Sequence, residues 1–223
     1  MAPGSSGKPA EYASPPCFMH ELDQAEAAPT DSVVLAADVM RWRKAKREGL
    51  IAARLALPAE ARAAMTRAII TGLDDIVGDV KGRTISLFWP FRGEPDLRAW
   101  LNALNERGAR TALPVVIAKA NPLIFRAYRS GDALEKGIWN IPIPVADLPV
   151  IPDIVIAPLV GFDPESYRLG YGGGYFDRTL ASLPRKPLVI GVGYGTQRIA
   201  TIYPQPHDIP MDRIVTEAGP ITR

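Results

Sequence analysis

A glycine-rich segment in the second half of the chain, RLGYGGGYFDR at residues 168–178, constrains the fold more than any other feature. An apolar run at residues 154–160 precedes it, and a short helical pattern at residues 176–183 follows it. This order predicts a strand, a glycine loop and a helix that begins where the loop ends. The glycines at residues 172–174 permit φ angles closed to other residues and let main-chain N–H groups approach a bulky anion.

The residues around the three glycines favour a loop that binds nucleotide phosphates. A helix N-terminus beyond the loop supplies unpaired N–H donors and a positive dipole end, and Arg168 and Arg178 add fixed positive charge. Asp177 is a hard oxygen ligand suited to a Mg²⁺ ion carried by phosphates. The glycine spacing matches neither the dinucleotide fingerprint nor a Walker A loop, and a simple tight turn is the alternative interpretation. The neighbouring tyrosines, Tyr171 and Tyr175, favour the nucleotide loop.

Two motifs resemble one known family. The segment GFDPESYRLGYGGGYFDRTL at residues 161–180 is similar to the signature of the 5-formyltetrahydrofolate cyclo-ligase family, also called 5,10-methenyltetrahydrofolate synthetases. The segment GIWNIPIP at residues 137–144 contains the Trp-Asn-Ile-Pro-x-Pro run of the same family. The resemblance covers residues 40–217, and its motifs appear in the family's order.

Composition sets limits on the class of protein. The chain has 223 residues, 47% of them hydrophobic, and a net charge of +2, which suit one domain with a sizeable core and no broad charged surface. Its one cysteine, Cys17, excludes an internal disulfide framework and a cysteine metal cluster. No apolar run approaches the ~20 residues of a membrane helix, and no secretory signal is evident. We therefore expect a cytoplasmic protein that binds neither nucleic acid nor membrane.

Short apolar runs alternate with helical patterns, which predicts an α/β fold: a single three-layer domain with a mostly parallel sheet flanked by helices. Residues 1–35, rich in Pro, Ala, Ser and Gly, are expected to form a flexible extension before the domain at residues 36–223. Strands are predicted at residues 84–89, 111–116, 121–128, 153–158, 187–194 and 214–216. Helices are predicted at residues 38–57, 58–77, 97–107 and 176–183, and an extended edge segment at residues 137–144.

The first predicted helix carries a basic cluster, RKAKR, at residues 43–47. Composition alone is compatible with a solvated helix face. The resemblance implies that a Lys-x-x-x-Arg pair reaches the ATP phosphates; Arg43 and Arg47 match it, with Lys44 as the alternative first member. Arginine at the first place keeps the charge but changes the reach. The implied ATP-binding residues are Arg43, Lys44, Arg47, Arg168, Leu169, Gly170, Tyr171, Gly172, Gly173, Gly174, Tyr175 and Phe176.

Glu94 follows the strand predicted at residues 84–89, where open parallel sheets bind ligands, although it could also serve the dipole of the next helix. The resemblance places a substrate-binding glutamate at Glu94, a pterin-contacting residue at Trp89 and a folate-stacking residue at Trp139. A carboxylate can accept paired hydrogen bonds from a pterin amino group and ring N–H. The implied substrate-binding residues are Trp89, Glu94, Trp139, Tyr171, Gly172, Gly173, Gly174 and Tyr175.

The resemblance implies an ATP- and Mg²⁺-dependent ligase that converts 5-formyltetrahydrofolate, with or without a polyglutamate tail, to 5,10-methenyltetrahydrofolate. Phosphorylation of the formyl oxygen would precede attack by N10, releasing ADP and phosphate. The expected catalytic residues are Arg168, Tyr175 and Asp177, and the expected Mg²⁺ ligands are Asp177 and Asp208. Either a monomer or a homodimer is compatible with this activity.

One position departs from part of the family, and two other functions remain open. Some members have lysine where this chain has Gly173, so we expect Arg168 or Arg178 to compensate. A non-catalytic folate or nucleotide sensor would keep the fold without turnover. A sugar-phosphate isomerase would need no ATP, and it would leave the motif at residues 137–144 unexplained.

Overall fold

The computed structural model describes residues 31–221. The chain divides into Met1–Ala37, most of which lies outside the described residues, and a compact unit, Asp38–Arg223. The prediction of a flexible extension therefore falls almost entirely on residues that are not described. Within residues 31–221 the helices are α1 (Asp31–Ala56), α2 (Ala59–Val77), α3 (Arg98–Glu106) and α4 (Tyr175–Ser182), with 3₁₀ turns at Ile138–Asn140 and Gly195–Gln197.

Helix α1 begins at Asp31, before the predicted start at Asp38. Asp38 does not cap an N-terminus, because it lies inside the helix and pairs with Arg41 one turn later. Nothing lies within 4 Å of the position that a Cβ at Gly49 would take, so packing does not require glycine at this place in α1. None of the helices in the described part of the chain is both long enough and apolar enough to span a membrane.

Twelve strands occur within the described residues. They are β1 (Thr84–Ser86), β2 (Arg110–Val115), β3 (Ile124–Ala127), β4 (Leu134–Lys136), β5 (Pro142–Pro144), β6 (Pro149–Val150), β7 (Ile154–Pro158), β8 (Gly161–Phe162), β9 (Arg168–Leu169), β10 (Leu188–Val192), β11 (Arg213–Thr216) and β12 (Gly219–Ile221). The main sheet has eight strands in the order β12-β11-β10-β7-β1-β2-β3-β6, while β4-β5 and β8-β9 form separate two-stranded sheets. The centre from β11 to β2 is parallel and both edges are antiparallel, which confirms the predicted α/β fold with a mostly parallel sheet.

Both faces of the central sheet are covered, as side-chain alternation along β7 illustrates. Ile154 and Ile156 belong to one core cluster, which includes residues of α2 and α3. Val155 and Ala157 belong to a second cluster, against which Phe176 of α4 packs. Because strand side chains alternate between faces, the continuous apolar sequence of β7 fills two separate layers.

The predicted strand at residues 84–89 and the predicted edge segment at residues 137–144 are both shorter than expected. β1 ends at Ser86, and the chain continues to Trp89 as irregular but largely buried backbone. The second segment is extended only in β5, because Trp139 and Asn140 take left-handed φ angles of 57° and 58° in the preceding 3₁₀ turn. The partner strand β4 was not predicted.

The topology brings two loops to the same edge of the sheet. β1 and β7 are parallel neighbours, with Ile85 opposite Ile154. The loop after β1 carries Trp89 and Glu94, and the chain after β7 leads through β8 and β9 into the glycine loop and α4. Because these segments follow the carboxyl ends of adjacent strands, the fold gathers the two groups of predicted site residues.

Candidate active site

A cavity of about 400 Å³ lies where these loops meet. Almost all of the residues predicted for the site line it. The exception is Lys44, which is exposed and lies outside the lining. The predicted residues in the lining are Arg43, Arg47, Trp89, Glu94, Trp139, Arg168, Leu169, Gly170, Tyr171, Gly172, Gly173, Gly174, Tyr175, Phe176, Asp177 and Asp208.

Each glycine of the triglycine run is favoured at its position for a structural reason. Gly172 and Gly174 take left-handed φ angles of 95° and 62°, and Gly174 immediately precedes α4. Gly173 has an ordinary φ, but a Cβ there would lie 2.5 Å from Cε2 of Tyr175. Arg178 donates to the Gly173 carbonyl and lies over the Tyr175 ring, 5.5 Å from its centroid. The loop therefore presents backbone at the cavity, at the start of a helix.

One face of α1 supplies basic residues to the site. Arg43 and Arg47 are one helical turn apart and both line the cavity, and Arg47 Nε donates to the Gly170 carbonyl at 2.7 Å. Lys44 points elsewhere because successive helix residues differ by about 100° around the axis. Burial, followed by the charge of Arg43, lowers the pKa of Arg47. Of the two alternatives for the first basic position, the structure brings Arg43 to the cavity.

Two partly buried ion pairs lie in the lining of the cavity. Arg43 Nη2 is 2.5 Å from Asp208 Oδ2, and Arg168 Nη2 is 2.9 Å from Asp177 Oδ2. Burial raises the pKa of Asp208, but hydrogen bonds from Arg43 and from the Gln205 N–H outweigh it and leave the pKa below its ordinary value. Burial lowers the pKa of Arg168, and the charges of the two aspartates oppose that shift. The three predicted arginines of the site therefore carry more positive charge than the two aspartates balance.

The chain beside one aspartate contacts the other. The main-chain N–H of Ile209, next to Asp208, donates to Asp177 Oδ1 at 3.3 Å. Magnesium is commonly held by one or two carboxylates together with substrate phosphates and water, so this donor set fits a Mg²⁺ ion that arrives with a nucleotide. Within residues 31–221 there is no cluster of three or more His, Cys, Asp or Glu side chains that could hold a metal alone.

Glu94 is a buried carboxylate in the lining of the same cavity, with 6% of its surface exposed. Its Oε1 accepts from the Tyr171 hydroxyl at 2.7 Å, and its Oε2 accepts from the Phe91 N–H at 2.9 Å. Burial raises the pKa of Glu94 to about 7, although these hydrogen bonds and the charge of Arg54 oppose the rise. Burial also raises the pKa of Tyr171, so its hydroxyl remains a donor at neutral pH.

Aromatic side chains form the remaining walls. Trp139 meets Tyr175 edge to face, with ring centroids 5.8 Å apart, while 57% of its surface stays exposed. Trp89 is half-buried and packs edge to face on Tyr128. Leu169 is buried in a core cluster and so offers the cavity its backbone more than its side chain. A flat heteroaromatic ligand therefore finds ring surfaces on more than one side.

No sequence motif singled out Arg54, whose side chain is fully buried and touches the cavity residues Tyr171 and Glu94. It was overlooked because it lies outside the basic cluster and no motif marks it. A helical pattern was available, however, because Arg43, Arg47 and Arg54 follow the i, i+4, i+11 spacing of one helix face. That spacing includes Arg54 and excludes Lys44.

Comparisons with known proteins agree with the resemblance. The model of the 5-formyltetrahydrofolate cyclo-ligase family matches residues 39–217. The 5-formyltetrahydrofolate cyclo-ligase of Mycolicibacterium smegmatis is 31% identical over 184 residues, covering 79% of this chain and 94% of that protein. The enzyme of that name from Escherichia coli K12 is 33% identical over 144 residues, covering 61% and 79%.

Solved structures give the same result. An NMR structure of 5,10-methenyltetrahydrofolate synthetase from Aquifex aeolicus aligns with a TM-score of 0.71 and 28% identity, covering 81% of this chain and 92% of that one. A 5,10-methenyltetrahydrofolate synthetase from Mycoplasma pneumoniae aligns with a TM-score of 0.63 and 25% identity, covering 78% and 98%. The chain therefore belongs to the 5-formyltetrahydrofolate cyclo-ligase family of enzymes.

Proposed function

We propose that this protein uses MgATP to close 5-formyltetrahydrofolate into 5,10-methenyltetrahydrofolate, releasing ADP and phosphate. The observation that carries the proposal is that a single cavity combines a glycine loop and the arginines Arg43, Arg47 and Arg168 with a buried carboxylate and aromatic walls. The first group suits a triphosphate, and the second suits a pterin. Their presence in one cavity supports direct transfer between the two substrates.

An unpaired donor at the basic part of the cavity supports an anionic ligand there. Arg168 Nε is buried and has no hydrogen-bond partner within residues 31–221, although its Nη2 pairs with Asp177. Buried donors are almost always satisfied. Because this nitrogen is itself enclosed, a phosphate oxygen would reach it only if the Arg168 side chain turned toward the cavity that it lines. A bound phosphate would also offset the surplus positive charge of the cluster.

The proposed chemistry needs positioning more than a side-chain nucleophile. The formyl oxygen attacks the γ-phosphorus of ATP, the bond to ADP breaks, and an N5-iminium phosphate forms. The N10 amine then attacks the activated carbon, loses its proton, and phosphate leaves with the former formyl oxygen. Among the described residues lining the cavity there is no serine or cysteine, which is consistent with a reaction governed by charge neutralisation and alignment.

The side chains would divide this work. The N–H groups of the triglycine run and Arg43, Arg47 and Arg168 would bind the triphosphate. Asp177 and Asp208 would hold Mg²⁺, which supplies charge neutralisation at the phosphates. Glu94 would accept paired hydrogen bonds from the pterin.

The side chains of Trp89 and Trp139 would flank the rings of the folate. Tyr171 and Tyr175 would line the space between the two substrates. All four aromatic residues belong to the lining of the same cavity. Their place in it agrees with alignment of the formyl group toward the triphosphate.

Turnover tests the proposal. Purified protein mixed with 5-formyltetrahydrofolate, ATP and Mg²⁺ should produce the near-ultraviolet absorbance of the methenyl product, with one ADP formed per product. Omitting ATP or adding a chelator in excess of Mg²⁺ should abolish the signal. Binding of both ligands without product would instead indicate a sensor, and an ATP-independent reaction on a sugar phosphate would indicate an isomerase.

A further inference from the structure

Arg54 donates hydrogen bonds to three separate segments around the site. Its side chain is fully buried, and its Nε donates to the Arg92 carbonyl at 2.9 Å in the loop after β1. Its Nη1 donates to the Leu159 carbonyl at 2.9 Å, just after β7. Its Nη2 donates to the Tyr171 hydroxyl at 2.7 Å in the glycine loop. One guanidinium thus ties helix α1 to all three segments.

The Tyr171 hydroxyl continues this connection to Glu94. It accepts a hydrogen bond from Arg54 and donates one to Glu94 Oε1 at 2.7 Å, while Arg54 Nη2 itself stays 4.0 Å from that oxygen. The hydroxyl therefore lies between a buried cation and a buried carboxylate. Because an arginine presents donors in a fixed plane, it sets the orientation in which the hydroxyl can serve the carboxylate.

We infer that Arg54 is a positioning residue that acts through the Tyr171 hydroxyl to hold the Glu94 carboxylate in its ligand-accepting orientation and so couples the glycine loop to the folate half of the cavity. The inference rests on the proposed function, because it takes Glu94 as the group that receives the pterin. Tyr171 is the contact between the two halves: it belongs to the glycine loop, yet its hydroxyl serves the carboxylate. Any movement of the glycine loop would therefore reach Glu94 through that hydroxyl.

The groups that face Glu94 make the inference testable by titration. Arg54 faces it from α1, Tyr171 from the glycine loop and the Phe91 N–H from its own loop. Asp96, further along that loop, pairs at the surface with Arg98 at the start of α3. Arg54 and Tyr171 both favour the ionised carboxylate. Removing either therefore raises the pH at which Glu94 ionises, and the ionised form is the one that accepts two pterin hydrogen bonds.

The test uses Tyr171→Phe, which removes only the hydroxyl, and Arg54→Lys, which keeps the charge but not the planar donors. Tyr167→Phe is the matched control, because Tyr167 packs against the Leu169 cluster and does not line the cavity. The Glu94 carboxyl is titrated by ¹³C NMR, with its signal assigned by its loss in Glu94→Gln. The KM values for 5-formyltetrahydrofolate and for ATP are measured from pH 6 to pH 9.

For Tyr171→Phe we expect the Glu94 titration, which is near pH 7 in the wild type, to move up by about one pH unit, the effect of losing one hydrogen bond to a charged group. The ionised fraction at pH 7 then falls from about one half to about one tenth, so the folate KM at pH 7 should rise about fivefold. The increase should shrink toward pH 9, and the ATP KM should change less. Arg54→Lys protein that retains the wild-type circular dichroism spectrum should shift the Glu94 titration in the same direction. Tyr167→Phe should match the wild type.

An unchanged titration midpoint in Tyr171→Phe, or an equal shift in Tyr167→Phe, would overturn the inference. A rise in folate KM that is the same at every pH would also count against it, because it would indicate loss of packing alone. The NMR titration is independent of turnover. If the wild-type protein forms no methenyl product, the proposed function fails, while the titration still decides whether Arg54 and Tyr171 govern Glu94.

Discussion

Glu94 combines deep burial with a titration near neutral pH, so its replacement by glutamine should change how protein stability depends on pH. Burial raises the pKa of this carboxyl from its ordinary value of 4.5 to about 7 in the folded protein. Because the folded pKa exceeds the unfolded one, the stability that the protonated carboxyl contributes is complete below about pH 4.5. It is lost as the pH rises through 7.

The size of the effect follows from the shift. Each pH unit between the two pKa values costs about 1.4 kcal/mol, so ionising Glu94 lowers the free energy of unfolding by about 2 kcal/mol between pH 5.5 and pH 8. Glutamine keeps the shape and cannot ionise. The free energy of unfolding of Glu94→Gln, minus that of the wild type, should therefore increase by about 2 kcal/mol over this interval.

Urea unfolding at pH 5.5 and pH 8 measures this difference directly, because global pH effects cancel between the two proteins. Glu48→Gln is a suitable control, because Glu48 is exposed on α1; its difference from the wild type should stay constant. A Glu94→Gln difference that varies by less than about 0.5 kcal/mol between the two pH values would refute the argument that burial governs this carboxyl. The same variant should weaken folate binding with little change in ATP affinity.

Three further substitutions test separate parts of the site. Arg47→Met should raise the KM for ATP by about tenfold or more, the effect of losing one charge-assisted contact. Lys44→Met should change that KM less than about twofold, because Lys44 lies outside the cavity. Equal effects of the two substitutions would contradict the placement of Arg47 in the site. Asp177→Asn should abolish MgATP-dependent turnover while the circular dichroism spectrum is kept, and an unchanged kcat/KM would contradict its role. Thr179→Val should lower the free energy of unfolding by about 1–3 kcal/mol, because Thr179 Oγ1 accepts from the Leu123 N–H at 2.8 Å and donates to the Tyr175 carbonyl at 2.7 Å; an unchanged urea midpoint would contradict this.

Local sequence signals predicted most of the central architecture. The apolar runs that became β7 and β10 are long and bounded by turn residues, so their type and approximate limits were correct. The short edge strands β6 and β12 were missed, because two or three residues carry no detectable period. β4, which has three residues, was missed for the same reason. The turn that joins it to β5 also gave no clear signal, because its left-handed residues, Trp139 and Asn140, are not glycines.

The candidate site was predictable where a motif marks it and unpredictable where only the fold does. The glycine loop and Glu94 were found from sequence patterns and the family resemblance. Arg54 was not, because its importance comes from being buried between three segments that only the folded chain brings together. The pairing of Asp208 with Arg43 likewise joins residues far apart in sequence, which no local pattern indicates.

The central claim is that the main-chain amides of the triglycine run bind a triphosphate and direct its terminal phosphate toward a pterin held by Glu94. A crystal structure with 5-formyltetrahydrofolate and a non-hydrolysable ATP analogue with Mg²⁺ tests it most directly. We expect phosphate oxygens at about 3 Å from the N–H groups of residues 172–174, with the pterin hydrogen-bonded to the Glu94 carboxylate. A triphosphate that binds elsewhere, with no contact between the triglycine run and either ligand, would contradict the account.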